Sequence, residues 1–305
     1  MKIVFGPISS RRFGLSLGVD LSPALKQCNF DCVYCELSAA KGIKQQNLVV
    51  SVKEILDEVS LSLEKGVEFD VLTLTANGEP SLYPHLKELI MALKKMLKDK
   101  KILILSNGTA VLDRDKFEAL LELDIVKLSL DSAISKTFYK IDRALKSIDL
   151  NLMIEKMTEF SKLFKGELVI EILVVSGFND TIEEFKALDK ALEKISPLRV
   201  DLSTIDRPPA YPVKAVSEQK LNELAKFIKS VPVVIAKRHF SEEKKLDLSK
   251  EELLKMLYLR PQNELDVQMK FSDETLKNLN ELLTKGRVRI LDLAGVKFYK
   301  ADEIR

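Results

Sequence analysis

The chain has 305 residues, of which 48 are Lys or Arg and 46 are Asp or Glu, so its formal net charge is only +2. This near balance excludes a global field that would by itself recruit nucleic acid or a membrane, and any basic patch must be local. No run approaches 18 consecutive apolar residues and the N-terminal apolar run is too short for a secretory signal, so we expect a soluble, cytoplasmic protein.

Over most of the chain, short apolar runs alternate with longer segments of helical period. This alternation predicts βα units and a parallel sheet, because parallel strands need a crossover between them. The six predicted strands cover residues 16–21, 70–75, 101–105, 125–130, 168–175 and 200–204. The six predicted helices cover residues 52–64, 85–98, 114–121, 148–164, 182–194 and 218–229.

Six βα units suit either a doubly wound sheet or an incomplete (β/α) barrel. The polar segments described below follow the first four predicted strands, and barrel enzymes carry their active sites at those strand ends. A doubly wound sheet instead binds its ligand at the one crevice where the strand order reverses. We therefore predict an α/β fold with a partial (β/α)6 TIM-like barrel.

The pattern changes after about residue 238, where two or three helical segments precede two short strands. Ser272 is the predicted N-cap of one helix, and Gly286 is its predicted stop. This order predicts a small winged helix-turn-helix-like domain. With the boundary near Phe240, the predicted domains are residues 1–240 and 241–305.

The three cysteines, Cys28, Cys32 and Cys35, lie in the segment CNFDCVYC directly after the first predicted strand. Three thiolates on one short loop can bind three irons of a cubane, which leaves the fourth iron without a protein ligand. An open iron can bind the amino and carboxylate groups of a methionine moiety. The cysteines therefore predict one [4Fe–4S] cluster, sensitive to oxygen.

Other uses of the cysteines are less well supported. A disulfide framework would leave one cysteine over and would close only tiny loops. A structural zinc site needs four Cys or His ligands, and the two histidines, His85 and His239, lack metal-site spacing to the loop. A Cys₃His zinc site remains the open alternative. Asn29 and Asp31 make the loop too polar for inert buried cysteines.

The C-x₃-C-x₂-C spacing, with Tyr34 immediately before the last cysteine, resembles the cluster motif of the radical S-adenosylmethionine (radical SAM) superfamily. The resemblance implies an enzyme whose cluster binds S-adenosyl-L-methionine at the open iron. It also implies that Tyr34 contacts the adenine of this cofactor. The alternative for Tyr34 is a ring that only packs the loop.

After the second predicted strand, the sequence Asn77-Gly78-Glu79-Pro80 resembles the GGEP segment of this superfamily, which recognises the methionyl amino group. Asn77 replaces the first glycine, and Asn tolerates left-handed backbone angles better than most residues. The carboxylate of Glu79 can accept hydrogen bonds from an ammonium group. The alternative is an ordinary turn rich in Asn, Gly and Pro.

Short polar side chains also follow the third and fourth predicted strands. In relatives, residues at these places contact the ribose and the methionyl carboxylate, and an arginine follows the fourth strand. The alternatives are turn formation, helix capping and, for the arginine, a surface ion pair with Asp142 or with a helix carboxylate. The residues that the resemblance adds to the cofactor site are Ser106, Asn107, Ser129, Asp131 and Arg143.

A finer resemblance links residues 6–20 and 206–210 to a radical SAM group near the wyosine-type tRNA-modifying enzymes. It places Arg11, Arg12 and Arg207 near the open mouth, where they hold a phosphate or carboxylate or else bridge the barrel ends. Wyosine synthases proper carry additional cysteines for a second cluster, and this chain has none left. The resemblance therefore implies a single-cluster member, and it puts the two-cluster reaction in doubt.

The implied reaction needs an external electron donor, ferredoxin or flavodoxin. The reduced cluster cleaves S-adenosyl-L-methionine to methionine and a 5′-deoxyadenosyl radical, which abstracts hydrogen from a substrate that the sequence does not name. A hypothesis from another class is an iron–sulfur redox sensor that binds DNA through residues 241–305 as a regulator.

Basic residues near the C-terminus offer the one indication of a substrate. Their pattern suits phosphate contacts of an RNA substrate, although the same residues could form a docking surface for a protein or a lid. Asp292, Asp302 and Glu303 are acidic neighbours that weaken the RNA interpretation. The five basic residues are Lys285, Arg287, Arg289, Lys297 and Lys300.

Overall fold

The computed structural model describes residues 3–10, 13–235, 245–259, 261–293 and 296–301. The chain divides into two compact units. The first unit comprises Met1–Thr204 and Ala210–Ala236, and the second comprises Ile205–Pro209 and Lys237–Arg305. The predicted boundary near Phe240 lies outside the described residues, so the division at this residue stays a prediction.

The first unit contains one eight-stranded sheet whose strand order follows the chain. The first strand is antiparallel to the second, and all later neighbours are parallel. The strands are β1 (Val4–Ser10), β2 (Gly14–Asp20), β3 (Val71–Thr75), β4 (Lys101–Ser106), β5 (Ile125–Ser129), β6 (Glu167–Val174), β7 (Arg199–Thr204) and β8 (Val233–Ile235).

Helices connect the parallel strands, and side chains cap several of them. Ser51 and Glu54 form a reciprocal capping box at the start of the first helix, as the spacing S-x-x-E favours. The helices are α1 (Val52–Glu64), α2 (Leu86–Met96), α3 (Arg114–Leu121), α4 (Ser135–Ile141), α5 (Leu150–Leu163), α6 (Ile182–Ile195) and α7 (Glu218–Ala225).

All six predicted strands and all six predicted helices are present, but the predicted number of parallel strands was too low. The sequence missed β1, whose Gly6-Pro7 pair and register shift break the alternating pattern. It also missed β8 and α4, which have three and seven residues and are too short to show a period.

The two faces of the sheet differ as they do in a barrel. Helices pack on one face and form the large apolar core with residues such as Leu72 and Ile104. The opposite face carries a small cluster of Val71, Leu103 and Ile125 with Phe13 against it. A doubly wound sheet would carry helices on both faces and reverse its strand order. The described strands show no pairing of β1 with β8, so the barrel is open.

Charged side chains lie inside this open barrel. The Lys127 ammonium is 2.6 Å from the Glu171 carboxylate and 3.2 Å from that of Asp201, while Arg199 binds Asp201 at 3.0 Å. Lys127 is 6% exposed and Asp201 is fully buried. Buried charges of this kind are tolerated only when they are paired.

The second unit has its own helices, sheet and core. Three helices and a three-stranded antiparallel sheet, in the order β10-β11-β9, pack around residues such as Leu257 and Phe271. Its elements are α8 (Lys250–Leu259), β9 (Gln262–Asn263), α9 (Glu264–Lys270), α10 (Asp273–Thr284), β10 (Val288–Leu293) and β11 (Val296–Ala301).

The predicted start and stop of one helix in this unit are confirmed. Ser272 caps α10 by accepting from Thr275 N, and the left-handed Gly286 follows its end. The identification of this unit as a winged helix stays a prediction. None of the helices among the described residues combines the length and the apolar character that crossing a membrane requires.

The buried charges make a testable prediction about stability. Replacing Lys127 with Met keeps most of the side-chain volume but removes one of the cations bound to the buried Asp201, while Arg199 remains, so we expect a loss of about 2 kcal/mol or more in unfolding free energy. The matched change Lys101→Met breaks an exposed pair with Glu167 and should cost less than about 1 kcal/mol. Urea unfolding measures both variants. Equal losses of unfolding free energy would show that the buried ion pairs of Lys127 contribute no more to stability than the exposed pair of Lys101.

Candidate active site

The loops that follow β2, β3, β4 and β5 meet at one edge of the sheet, because the carboxyl ends of adjacent parallel strands lie side by side. The loop after β2 carries Cys28, Cys32 and Cys35, which are all free and partly buried. The parallel register of β2 to β5 therefore puts the segments that the sequence singled out at this edge, and the roles of their residues stay predictions.

Gln27 joins the cysteine loop to the segment after β3. Its backbone N–H donates to Asn77 O at 2.8 Å, and its carbonyl accepts from Glu79 N at 2.9 Å. Gly78 lies between these two bonds with φ of 132°, and a Cβ there would stand 2.0 Å from Gln27 O. Asn77 has no positive φ, so the residue that must be glycine is Gly78.

Glu79 connects the ends of β3 and β4. Its carboxylate is 2% exposed and accepts from Ser81 N at 2.9 Å and from Asn107 N at 2.7 Å. Burial raises the pKa of Glu79, and the hydrogen bonds, including one from Ser106, oppose that shift. The Ser81 and Ser106 hydroxyls and the two backbone N–H groups together occupy about the four acceptor positions of a carboxylate, so an ammonium group would bind Glu79 by replacing a hydroxyl.

Asn107 places an amide against the first cysteine. Its Nδ2 donates to Asn29 Oδ1 at 2.6 Å and lies 3.9 Å from Cys28 Sγ. Its Oδ1 accepts from Thr109 N, which holds the amide in this orientation. Amide contacts to a cluster-ligating sulfur tune the reduction potential of an iron–sulfur cluster.

Two buried carboxyl groups lie beside the second cysteine. Tyr34 OH donates to Asp131 at 2.5 Å, and the Cys32 thiol lies 3.5 Å from Asp142 Oδ1. Burial raises the pKa of Asp131 to about 6. Burial and then the charge of Asp131 raise the pKa of Asp142 well above its usual value. The predicted contact of the Tyr34 ring with adenine stays a prediction.

The structure does not join Ser129 and Arg143 to this group. The Ser129 hydroxyl makes no hydrogen bond among the described residues, and its strand register places it next to Glu171. Arg143 has a positive φ of 46°, stacks 4.0 Å over the Tyr211 ring and lies 3.9 Å from Asp31. Arg143 therefore forms its described ion pair with Asp31 of the cysteine loop and not with Asp142. The roles of both residues toward a cofactor stay predictions.

The three arginines that the sequence placed at the mouth cannot be added to the site. Arg11 and Arg12 lie outside the described residues. Arg207 belongs to the second unit. Their predicted role in holding a phosphate or carboxylate therefore stays a prediction.

Lys26 and Gln46 were missed by sequence reasoning. The Lys26 side chain is 9% exposed and binds Asp31 at 3.1 Å. It also lies against Cys35, where its charge lowers the thiol pKa, although burial raises that pKa more strongly. Gln46 is buried, and neither its amide oxygen nor its nitrogen has a hydrogen-bond partner among the described residues. A signal for Lys26 existed in the sequence, namely a cation two residues before the first cysteine.

The donor set fits an iron–sulfur cluster. Burial raises the pKa of Cys28 to about 12, so the thiol keeps its proton until a metal displaces it. No three His, Cys, Asp or Glu side chains in the described part of the chain are grouped to hold a single metal ion. The thiolates of a cubane bind different irons and need not converge on one point.

Comparison with known proteins identifies the family. Residues 23–191, more than half of the chain, match the model of the Radical SAM superfamily. The chain belongs to this superfamily. Membership implies a [4Fe–4S] cluster and S-adenosyl-L-methionine, and it agrees with the three-cysteine loop and the Glu79 segment described above.

Relatives extend over the whole chain. A UPF0026 protein of Helicobacter pylori (strain J99) is 41% identical over 303 residues, which cover 99% of this chain and 98% of the relative. A GTP 3′,8-cyclase of H. pylori (strain HPAG1) is 27% identical over 158 residues, or 48% of each chain. The crystal structure of a radical SAM methyltransferase from Sphaerobacter thermophilus is 15% identical, with a TM-score of 0.55 over 72% of this chain and 66% of that one. This last likeness shows the partial-barrel fold alone.

The close approach at Gly78 makes a second prediction. Gly78→Ala combines backbone strain with overlap on the Gln27 carbonyl, so we expect a loss of about 3 kcal/mol or more in unfolding free energy. The control Gly66→Ala also has a positive φ, 69°, but its Cβ would meet nothing within 4 Å, so it should cost about 1–2 kcal/mol. Thermal or urea unfolding compares them. A Gly78 variant no less stable than the Gly66 variant would contradict the contact.

Proposed function

We propose that this chain is a radical SAM enzyme that holds one [4Fe–4S] cluster on Cys28, Cys32 and Cys35. With one added electron, the bound cluster and S-adenosyl-L-methionine yield methionine and a 5′-deoxyadenosyl radical that abstracts hydrogen from a substrate. The observation that carries the proposal is the buried carboxylate of Glu79, hydrogen-bonded at the strand edge beside the three-cysteine loop.

The side chains divide the work of binding the cofactor. Glu79 accepts from the methionyl ammonium, and the backbone N–H groups that already bind it keep its carboxylate in place. Asn107 orients toward the Cys28 sulfur, and Tyr34 with Asp131 forms the wall beside Cys32. Because Glu79 and Asp131 are each 2% exposed, this wall keeps water away from the reacting atoms.

The number of cysteines limits the chemistry to a single cluster on this chain. All three lie on one loop, and none is left to ligate a second cluster. We therefore propose a single-cluster member of the group near the wyosine-type enzymes and do not assign it the wyosine reaction. The redox-sensing regulator is not supported, because membership of the superfamily favours an enzyme and a sensor would not need Glu79 at this edge.

The first test of the function measures cluster and cofactor separately. Reconstituted without oxygen, the chain should bind about four irons and, with dithionite, release 5′-deoxyadenosine from S-adenosyl-L-methionine. Glu79→Gln should retain the irons but weaken binding of the cofactor by about 10- to 100-fold, since a bond to a charged group contributes about 1.5–3 kcal/mol. The exposed Glu68→Gln serves as the matched control.

Two results would contradict this function. One is a fully loaded cluster that never cleaves the cofactor under reducing conditions. The other is a Cys28→Ser variant that still binds about four irons and cleaves the cofactor at the wild-type rate, because the proposal gives this cysteine a ligand position.

For the second unit we propose a winged-helix module that binds an RNA substrate. The order of its elements supports this, with three helices and a short strand before the hairpin of β10 and β11. Arg289 and Lys300 are direct partners across the hairpin. Two adjacent basic side chains on one hairpin suit contacts with the phosphates of a bound RNA.

The test removes these two charges together. Arg289→Gln with Lys300→Gln should weaken RNA binding and reduce the slope of log affinity against log salt by about two, roughly one for each phosphate contact. Lys245→Gln with Lys255→Gln removes the same charge elsewhere in the unit and should change the slope less. Filter binding of tRNA at several salt concentrations measures this. Unchanged affinity would reject the hairpin as the contact and leave protein docking as the alternative.

A further inference from the structure

Residues 40–49, which we call the strap, run along the cysteine loop and are held to it by the backbone. The strap has no helix or strand of its own, so its hydrogen bonds to the cysteine loop keep it in place. It is anchored at four points along its length. The strap donates from Ala40 N to Asp31 at 3.2 Å, from Ile43 N to Cys28 O at 2.8 Å, and from Asn47 N and Leu48 N to Gln27 Oε1 at 2.6 and 3.0 Å.

The outer surface of the strap is basic. The strap contains two lysines and no acidic residue, although 46 of the 305 residues of the chain are acidic. Lys41 and Lys44 are exposed, and neither has an ion pair among the described residues. Gly42, between them, packs so closely on Leu145 that a Cβ would stand 3.1 Å from its Cδ2, which brings the exposed Lys146 next to the strap.

Apolar side chains stand beside these cations. Leu48 is 51% exposed, Val49 41% and Leu25 46%. The Leu25 and Leu48 carbonyls are both bound within one small network, because Gln27 Nε2 donates to Leu48 O and to Ser22 Oγ, which donates to Leu25 O. A few exposed apolar residues next to unpaired charges are typical of a transient docking surface.

We infer that the strap, with Lys146 and Leu25, is the docking surface for a small acidic one-electron carrier protein. This inference rests on the proposed function, because each reductive cleavage consumes one electron that must come from outside the chain. In the transfer step the carrier loses one electron and the cluster gains it, and no bond is made or broken. Basic charges on the strap attract the acidic carrier and speed the encounter.

The position of the strap favours it over other surfaces. A single backbone hydrogen bond, from Ile43 to Cys28 O, separates the strap from a cluster ligand. Asn107 contacts the sulfur of the same cysteine from the end of β4 and donates its backbone N–H to Glu79, so the approach proposed for the cofactor lies on the side of these two residues. A carrier on the strap can therefore deliver an electron without entering the cofactor site. Electron-transfer complexes bury little surface, so a ten-residue strap is large enough.

The experiment compares two reductants on the reconstituted chain. Reduced flavodoxin, an acidic flavin carrier, and dithionite, a small molecule, each reduce the cluster in a stopped-flow instrument, with cluster absorbance as the signal. Lys41→Glu with Lys44→Glu should slow reduction by flavodoxin about tenfold or more at low salt, with a smaller difference at high salt. Reduction by dithionite should be unchanged.

The matched control reverses the same number of charges elsewhere. Lys95 and Lys98 are exposed near the end of α2, which leads to the opposite edge of the sheet. Lys95→Glu with Lys98→Glu should leave reduction by flavodoxin at the wild-type rate. Equal rates for both double variants, or no reduction of the wild type by flavodoxin, would overturn the docking surface. A wild-type cluster that dithionite cannot reduce would instead contradict the proposed function.

Discussion

The site depends on the backbone pairing between Gln27 and the segment Asn77–Glu79. Two short hydrogen bonds join the cysteine loop to the end of β3, and they form only because residue 78 has no side chain. Gln27 also uses its side-chain amide to hold the strap on the other side of the loop. Gln27 thus holds together the cysteine loop, the segment that carries Glu79 and the strap.

A second layer of contacts turns this frame into an electrostatic environment. Glu79, Asp131 and Asp142 are all buried, and burial raises the pKa of each of them. Lys26 beside Cys35 is a cationic counterpart. In the proposed complex, the ammonium and sulfonium of the cofactor would add positive charge and so make these acidic side chains favourable in a region of low dielectric constant.

The two sides of the cysteine loop serve different partners in our proposals. The side toward β3 and β4 presents amides and carboxylates with fixed partners, as the binding of a small polar cofactor requires. The side of the strap presents exposed lysines and leucines, which suit a brief protein encounter. This separation lets the electron and the cofactor reach the cluster independently. The hairpin of the second unit is a third proposed surface, whose basic side chains suit the phosphates of an RNA.

The sequence by itself determined the βα order, the cysteine loop and the position of Glu79, because hydrophobic period and motif spacing are local properties of the chain. It could not determine that Gly78, not Asn77, must be glycine, since the reason is the backbone of Gln27, 51 residues earlier in the sequence. Nor could it reveal the pairing of Lys26 with Asp31 and Cys35, the partners of Arg143, or the strap over Cys28. The Arg143 contacts join separate loops, while the contacts of Lys26 and of the strap fold the long loop after β2 back on itself, so only the tertiary structure decides which of these residues meet.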